Sequence, residues 1–248
     1  MKPLSIRGMT LGDGAPKIAV PLVGRTRRAL LAEAAAVAAL PADVAEWRAD
    51  CFEELADETA LLETLRALRE TLGTRVLLFT IRTAREGGAA DMGAERYAAL
   101  TLLAAQSGCV DLADVELSVG ESAARALIDG VHAAGCRAVG SRHDFAATPP
   151  RNAMLGHLRE ARRLGADVPK LAVMANSDAD ALALLNAAAA FRAEADRPYI
   201  AISMGRYGVL SRVACRLTGS CLTFGAAEQT SAPGQLPAGQ LKELLDLF

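Results

Sequence analysis

Short runs of apolar and β-branched residues alternate along the whole chain with amphipathic or Ala/Leu-rich stretches. Eight runs read as strands: Lys17–Val23, Val44–Ala49, Arg75–Arg82, Val110–Leu117, Arg137–His143, Val168–Met174, Pro198–Ser203 and Ser220–Phe224. The stretches between them carry helical periodicity, as in Leu61, Leu65, Leu68 and Leu72. The strand starts recur about every 30 residues, the length of a βαβ unit. Eight such units in 248 residues predict an α/β chain folded as a (β/α)8 TIM barrel, with a doubly wound sheet as the alternative. No Pro/Ser-rich linker interrupts the pattern, so residues 1–248 read as a single barrel domain. Met1–Pro16 precedes the first strand without helical period and is expected to form a short N-terminal β-hairpin closing the N-terminal end of the barrel.

A barrel concentrates its chemistry at the C-terminal ends of the strands. Those ends are charged here. The second strand closes with Glu46 and Arg48, which lie two apart and so share a face. The third ends at Arg82 and runs into Glu86-Gly87-Gly88, the fourth carries Glu116, the fifth ends in Ser141-Arg142-His143-Asp144, and the seventh runs into Ser203-Met204-Gly205. The sixth holds Lys170 inside the apolar run Val168–Met174. A charged group at one strand end is commonly an ion pair, but this many at one mouth point to an active site.

Composition sharpens the interest in Lys170. Of 27 basic residues only four are lysines, namely Lys2, Lys17, Lys170 and Lys242. Burial makes an ammonium easier to deprotonate into a nucleophilic amine, an option closed to arginine. His143 is one β–α unit earlier, on the neighbouring strand, and is a candidate general acid and base. As a cation it would also favour the neutral amine of Lys170. His132 and His157 fall in helical stretches and read as surface residues.

Charge and cysteine usage then exclude several classes. The net charge is −2 and no basic run reaches five residues, so neither nucleic acid nor an anionic membrane is expected as a partner. Five cysteines without a Cys-x-x-Cys pair fit reduced thiols and a cytoplasmic setting. No apolar run is long enough to span a membrane. There is no metal-ligand spacing, and neither a dinucleotide nor a Walker-type fingerprint. The long small-residue loop from Gly225 to Pro237 is a candidate lid.

Six motifs, taken in order, resemble one family. They are Glu46-Trp47-Arg48-x-Asp50; Leu78-Phe79-Thr80-x-Arg82-x-x-x-Glu86-Gly87-Gly88; His143-Asp144-Phe145; Pro169-Lys170-x-Ala172; Ser203-Met204-Gly205 with Gly208-x-x-Ser211-Arg212; and Ser231-Ala232-Pro233-Gly234-Gln235. Together they resemble the type I 3-dehydroquinate dehydratases. The resemblance implies a homodimeric, cytoplasmic (β/α)8 hydro-lyase of the shikimate pathway that needs neither metal nor organic cofactor. It would convert the small-molecule substrate 3-dehydroquinate to 3-dehydroshikimate.

It also implies roles. Lys170 would form a Schiff base, His143 would move the proton, and Glu86 would orient His143. Arg212, Ser231 and Gln235 would hold the substrate carboxylate, and Glu46, Arg48 and Arg82 the ring hydroxyls. Pro21 and Ile202 depart from residues found in some members, a serine and a methionine. Another class I Schiff-base lyase or aldolase on the same barrel, or a non-catalytic binder of a polyol acid, are the competing readings.

Overall fold

The computed structural model describes residues 1–227 and 231–247. All eight expected strands form, with ends shifted by at most two residues: β3 (Lys17–Leu22), β4 (Val44–Arg48), β5 (Val76–Thr80), β6 (Leu112–Glu116), β7 (Arg137–Asp144), β8 (Val168–Met174), β9 (Ile200–Met204) and β10 (Leu222–Ala226). They pair in parallel in the order β10-β3-β4-β5-β6-β7-β8-β9. Since β3, the first of them, pairs with β10, the last, the doubly wound alternative falls away. The remaining seam is joined by Cys221 N–H donating to the Tyr199 carbonyl (2.8 Å) and Ala201 N–H to Ser220 Oγ (3.1 Å). A two-residue strand, β11 (Leu236–Pro237), adds to β10 above the mouth.

Before the barrel, β1 (Leu4–Ile6) and β2 (Met9–Leu11) form the expected antiparallel hairpin. Its tight turn places both Arg7 (φ 46°) and Gly8 (φ 79°) in the left-handed region, the geometry that matches strand twist in a two-residue loop. Ile6 and Leu11 are buried against Val44, Val76, Leu112, Val139 and Val168. These are the first or near-first residues of their strands, so the hairpin plugs the N-terminal end.

The ring of helices comprises α1 (Arg27–Ala38), α2 (Glu58–Leu72), α3 (Ala94–Gln106), α4 (Glu121–Ala133), α5 (Arg151–Leu164), α6 (Asp178–Arg192), the short pair α7 (Leu210–Val213) and α8 (Cys215–Thr218), and α9 (Ala238–Asp246). In α2, Asp57 caps the start by accepting from Thr59 N and Ala60 N, and the Leu61, Leu65, Leu68, Leu72 stripe is buried as the periodicity predicts. None of the described helices is long and apolar enough to cross a membrane.

Period two along each strand sorts side chains between two cores. On β4, Trp47 faces outward and is fully buried beneath the helices, meeting the edges of Phe52 and Phe79 at ring distances of 5.7 and 5.5 Å. Its neighbours Glu46 and Arg48 face inward. The barrel interior therefore runs from an apolar floor at the hairpin to charged side chains at the mouth.

Candidate active site

Lys170 is 5 % exposed, in the middle of β8. Strand register places Ser141 of β7 directly across from it and His143 one step higher, opposite Ala172. Lys170 Nζ lies 3.2 Å from Asp114 Oδ2 and 3.6 Å from Glu46 Oε1, and 4.8 Å from the centre of the Phe224 ring. Two carboxylates and an aromatic face thus surround this nitrogen.

Arg82 follows β5 and organises the floor of the site. Its guanidinium donates to Asp114 Oδ2 (2.8 Å), Glu116 Oε1 (2.8 Å) and Ser141 Oγ (3.1 Å), and reaches Glu86 Oε2 at 3.5 Å. Burial works against its charge, but the carboxylates of Asp114, Glu116 and Glu86 outweigh that and hold its pKa above the ordinary arginine value. Thr83 binds Glu116 through both its N–H and its hydroxyl. The chain then turns back sharply: a Cβ at Gly88 would stand 2.0 Å from the Arg82 carbonyl oxygen, so only glycine permits the fold-back. That loop carries Glu86 under His143.

Glu86 Oε2 accepts from the His143 backbone N–H (2.9 Å) and meets His143 Nδ1 at 2.8 Å. Glu86 Oε1 faces Ser118 Oγ without hydrogen-bond geometry, and both atoms are buried and otherwise unpartnered. Burial pushes the Glu86 carboxyl up to about 7, against the pull of Arg82. Because Oε2 is already committed as an acceptor, a proton taken up by Glu86 belongs on Oε1. Nδ1 then keeps its hydrogen in either state of Glu86, leaving Nε2 as the basic nitrogen of the ring.

Burial, followed by the cations Arg82, Lys170 and Arg48, holds the His143 pKa well below its ordinary value. The imidazole is neutral at pH 7. This corrects the expectation that a histidinium would favour the neutral form of Lys170. Three arginine and lysine cations around one ring make a fourth charge unfavourable, which suits the ring to accept a proton transiently.

Arg48 is fixed by a bidentate pair with Asp50, at 2.8 Å for both bonds. Asp50 also accepts from Arg82 N (3.1 Å) and Ala89 N (3.1 Å), tying the Glu86 loop to β4. Burial opposes the Asp50 charge, but Arg48 and these amides hold its carboxyl below its usual range.

On the other side of the mouth, Arg212 on α7 is 1 % exposed. It donates to the carbonyls of Phe224 (3.1 Å) and Pro233 (3.0 Å), and its Nε is buried without a partner. Among the described residues it has no carboxylate, and burial lowers its pKa to about 10. Ser231 and Gln235 bind each other (Ser231 N to Gln235 Oε1 at 2.7 Å, Gln235 Nε2 to Ser231 Oγ at 3.1 Å). Gly205 N–H donates to the Pro233 carbonyl (3.2 Å), which seats this stretch beside the end of β9. Of the candidate lid, residues 228–230 lie outside the described residues.

One pocket gathers Glu46, Arg48, Arg82, His143, Lys170, Arg212, Ser231 and Gln235, with Ile202 contributing to its apolar wall. Glu86 is the exception among the sequence candidates, since it stands behind His143 and not on the pocket surface. Sequence reading placed Asp50 and Ser141 at strand ends without a role, and missed Asp114 as part of the site. Asp114 left a readable signal, because it lies two before Glu116 in Leu112-Ala113-Asp114-Val115-Glu116 and so faces the interior with it. His132 and His157 sit on α4 and α5, partly exposed and away from this pocket.

Convergence of a buried amine, an imidazole and fixed cations at the C-terminal mouth defines a (β/α)8-barrel enzyme. The sequence profile of the type I 3-dehydroquinases matches residues 18–248. A 3-dehydroquinate dehydratase of Bacillus licheniformis is 43 % identical over 248 residues, covering 100 % of this chain and 98 % of its own length. One of Syntrophotalea carbinolica is 44 % identical over 249 residues, with 100 % and 98 % covered. The crystal structure of a type I 3-dehydroquinate dehydratase from Clostridium difficile superposes with a TM-score of 0.95 at 37 % identity, covering 99 % of this chain and 97 % of that one. The 3-dehydroquinate dehydratase of Geobacillus kaustophilus gives 0.96 at 37 % identity, covering 99 % and 96 %. The chain belongs to the type I 3-dehydroquinase family.

Proposed function

We propose that this enzyme dehydrates 3-dehydroquinate to 3-dehydroshikimate through a Schiff base on Lys170. The observation that carries the reading is a buried lysine facing the same pocket as a neutral, oriented imidazole. Attack of Nζ on the ketone and loss of water give a protonated imine, an electron sink that acidifies the adjacent carbon. His143, with Nε2 basic, takes the proton from that carbon and returns it to the departing hydroxyl, a syn elimination by one residue. Glu86 fixes the tautomer, and hydrolysis of the product imine by one water releases the ketone and frees Lys170.

The cations divide the work of binding. Arg212, without a carboxylate partner among the described residues, suits the substrate carboxylate, with Ser231 and Gln235 beside it. Glu46, Arg48 and Arg82 are placed to hold the ring hydroxyls and stop the substrate rotating, a gain in positioning. A place in the shikimate pathway, a cytoplasmic setting and a homodimer complete the proposal, on the family resemblance alone.

Borohydride added to enzyme and dehydroquinate tests it. A reduced adduct is expected on the peptide holding Lys170, and none, or one elsewhere, overturns the mechanism. His143→Ala is expected to be trapped as well but to turn over roughly 10²–10⁴-fold more slowly. Near-normal turnover would assign the proton transfer to another group.

A further inference from the structure

Resting on the Schiff-base reading above, a second question concerns what balances the charge on nitrogen through the reaction. We propose that Asp114 is a further catalytic residue, the fixed counter-charge that faces the Lys170 nitrogen first as ammonium and then as protonated imine. Oδ2 of Asp114 lies 3.2 Å from Lys170 Nζ and also accepts from Arg82 (2.8 Å), while Oδ1 accepts from Ser141 Oγ (2.5 Å). Donors from the loop after β5, from β7 and from β8 therefore clamp one carboxylate, which cannot follow a departing partner. It is 1 % exposed and lies beneath the pocket lining, so an incoming ring does not displace it.

Glu46 is the other carboxylate near Nζ, and it is differently placed. Its oxygen is farther from Nζ, at 3.6 Å, is held by the Thr80 hydroxyl (3.0 Å), and lines the pocket itself. Glu46 can turn to the substrate hydroxyls, whereas Asp114 has nowhere else to turn.

The balance of the step suits a fixed partner. An ammonium and a ketone yield a protonated imine and one water: a C=N bond forms, the C=O bond breaks, and two of the three ammonium hydrogens leave with the oxygen. One N–H and one positive charge remain on nitrogen. Asp114 Oδ2 can accept from that N–H before and after the change, with no reorganisation of charge around it. Burial opposes ionisation of Asp114, but Arg82, Lys170 and Ser141 hold its carboxyl below its usual range, so it does not take the proton itself.

Asp114→Asn is the direct test, read by the rate at which borohydride-reducible adduct accumulates on Lys170. A fall of about 10²-fold or more is expected, together with a downward shift in the pH at which an amine-acylating reagent labels Lys170 in the free enzyme. A merely structural role would leave that pH midpoint unmoved. Ser141→Ala keeps the charge and removes one of the three bonds to it, and is expected to slow adduct formation by no more than about tenfold, the low end for a hydrogen bond to a charged group. A wild-type adduct rate and midpoint in Asp114→Asn, or a loss in Ser141→Ala as large as that in Asp114→Asn, would overturn the proposal.

Should Asp114→Asn not fold, wild type carrying carbon-13 in its aspartate carboxyls answers the same question. Infrared difference spectra on adding dehydroquinate are expected to show a shifted, still ionised carboxylate. Growth of a protonated aspartic acid band would assign the proton to Asp114 and overturn its role as counter-charge. Absence of any Lys170 adduct in wild type is a separate result, which removes the Schiff-base reading itself.

Discussion

The two sides of the barrel mouth treat buried arginine in opposite ways. On the β4–β7 side, Arg82 stands among Asp114, Glu116 and Glu86, and Arg48 is locked to Asp50. Across the pocket, Arg212 rests on two carbonyl oxygens with its Nε unpartnered. Burial depresses the one and carboxylates raise the other. The first side is a prebuilt scaffold whose charges are satisfied before any ligand arrives. Among the described residues the second offers its arginine no negative charge and gains most from an anion supplied from outside, which is why the substrate carboxylate is assigned to it.

The comparison breaks if both arginines cost the same to remove. Arg82→Met leaves three carboxylates without their shared cation and is expected to destabilise the fold by about 3–5 kcal/mol, read from denaturant midpoints. A loss below about 1 kcal/mol would show that the scaffold is not held by this guanidinium.

A pH experiment sharpens the scaffold side. Glu86 has a carboxyl near 7 in the fold against 4.5 when unperturbed, so between those values the folded chain binds a proton that the unfolded chain has released. Stability from this group falls as pH rises through that window, by roughly 3 kcal/mol. In Glu86→Gln that component is absent, so the stability difference between variant and wild type should grow in the variant's favour from pH 4.5 to 8. Parallel curves would place the Glu86 carboxyl in the ordinary range.

The smallest effect is expected on the other side. Arg212→Met removes a buried charge that has no carboxylate partner among the described residues and should change stability by less than about 1 kcal/mol, while kcat/KM falls roughly 10- to 100-fold through lost charged hydrogen bonds to the substrate. An analogue without the carboxylate should be affected far less. Equal losses on both substrates would dissolve the assignment.

Much of the frame was legible in the chain itself. The run Val168–Met174 has the same bounds as β8, because an apolar strand flanked by helical stretches leaves no competing register. The charged strand ends followed from period two applied at the mouth. Asp114 left only its spacing from Glu116 as a signal, and its meaning comes from Arg82 and Lys170, remote in sequence and adjacent only once the sheet curls. Arg212 was placed by resemblance, not by pattern: α7 is four residues long, too short for periodicity to aim a side chain. The charge state of His143 also lay beyond local reading, since it depends on three cations brought in from β4, β8 and the loop after β5.

Trp47 turns the architecture of β4 into a measuring device. It is the chain's one tryptophan, fully buried between Phe52 and Phe79, and its two chain neighbours are Glu46 and Arg48. Its fluorescence therefore comes from a single dry environment on the reverse face of the strand proposed to grip the substrate. Emission should lie to the blue while the barrel is closed and move to the red as it opens. Integrity of the fold can thus be followed by one unlabelled optical signal.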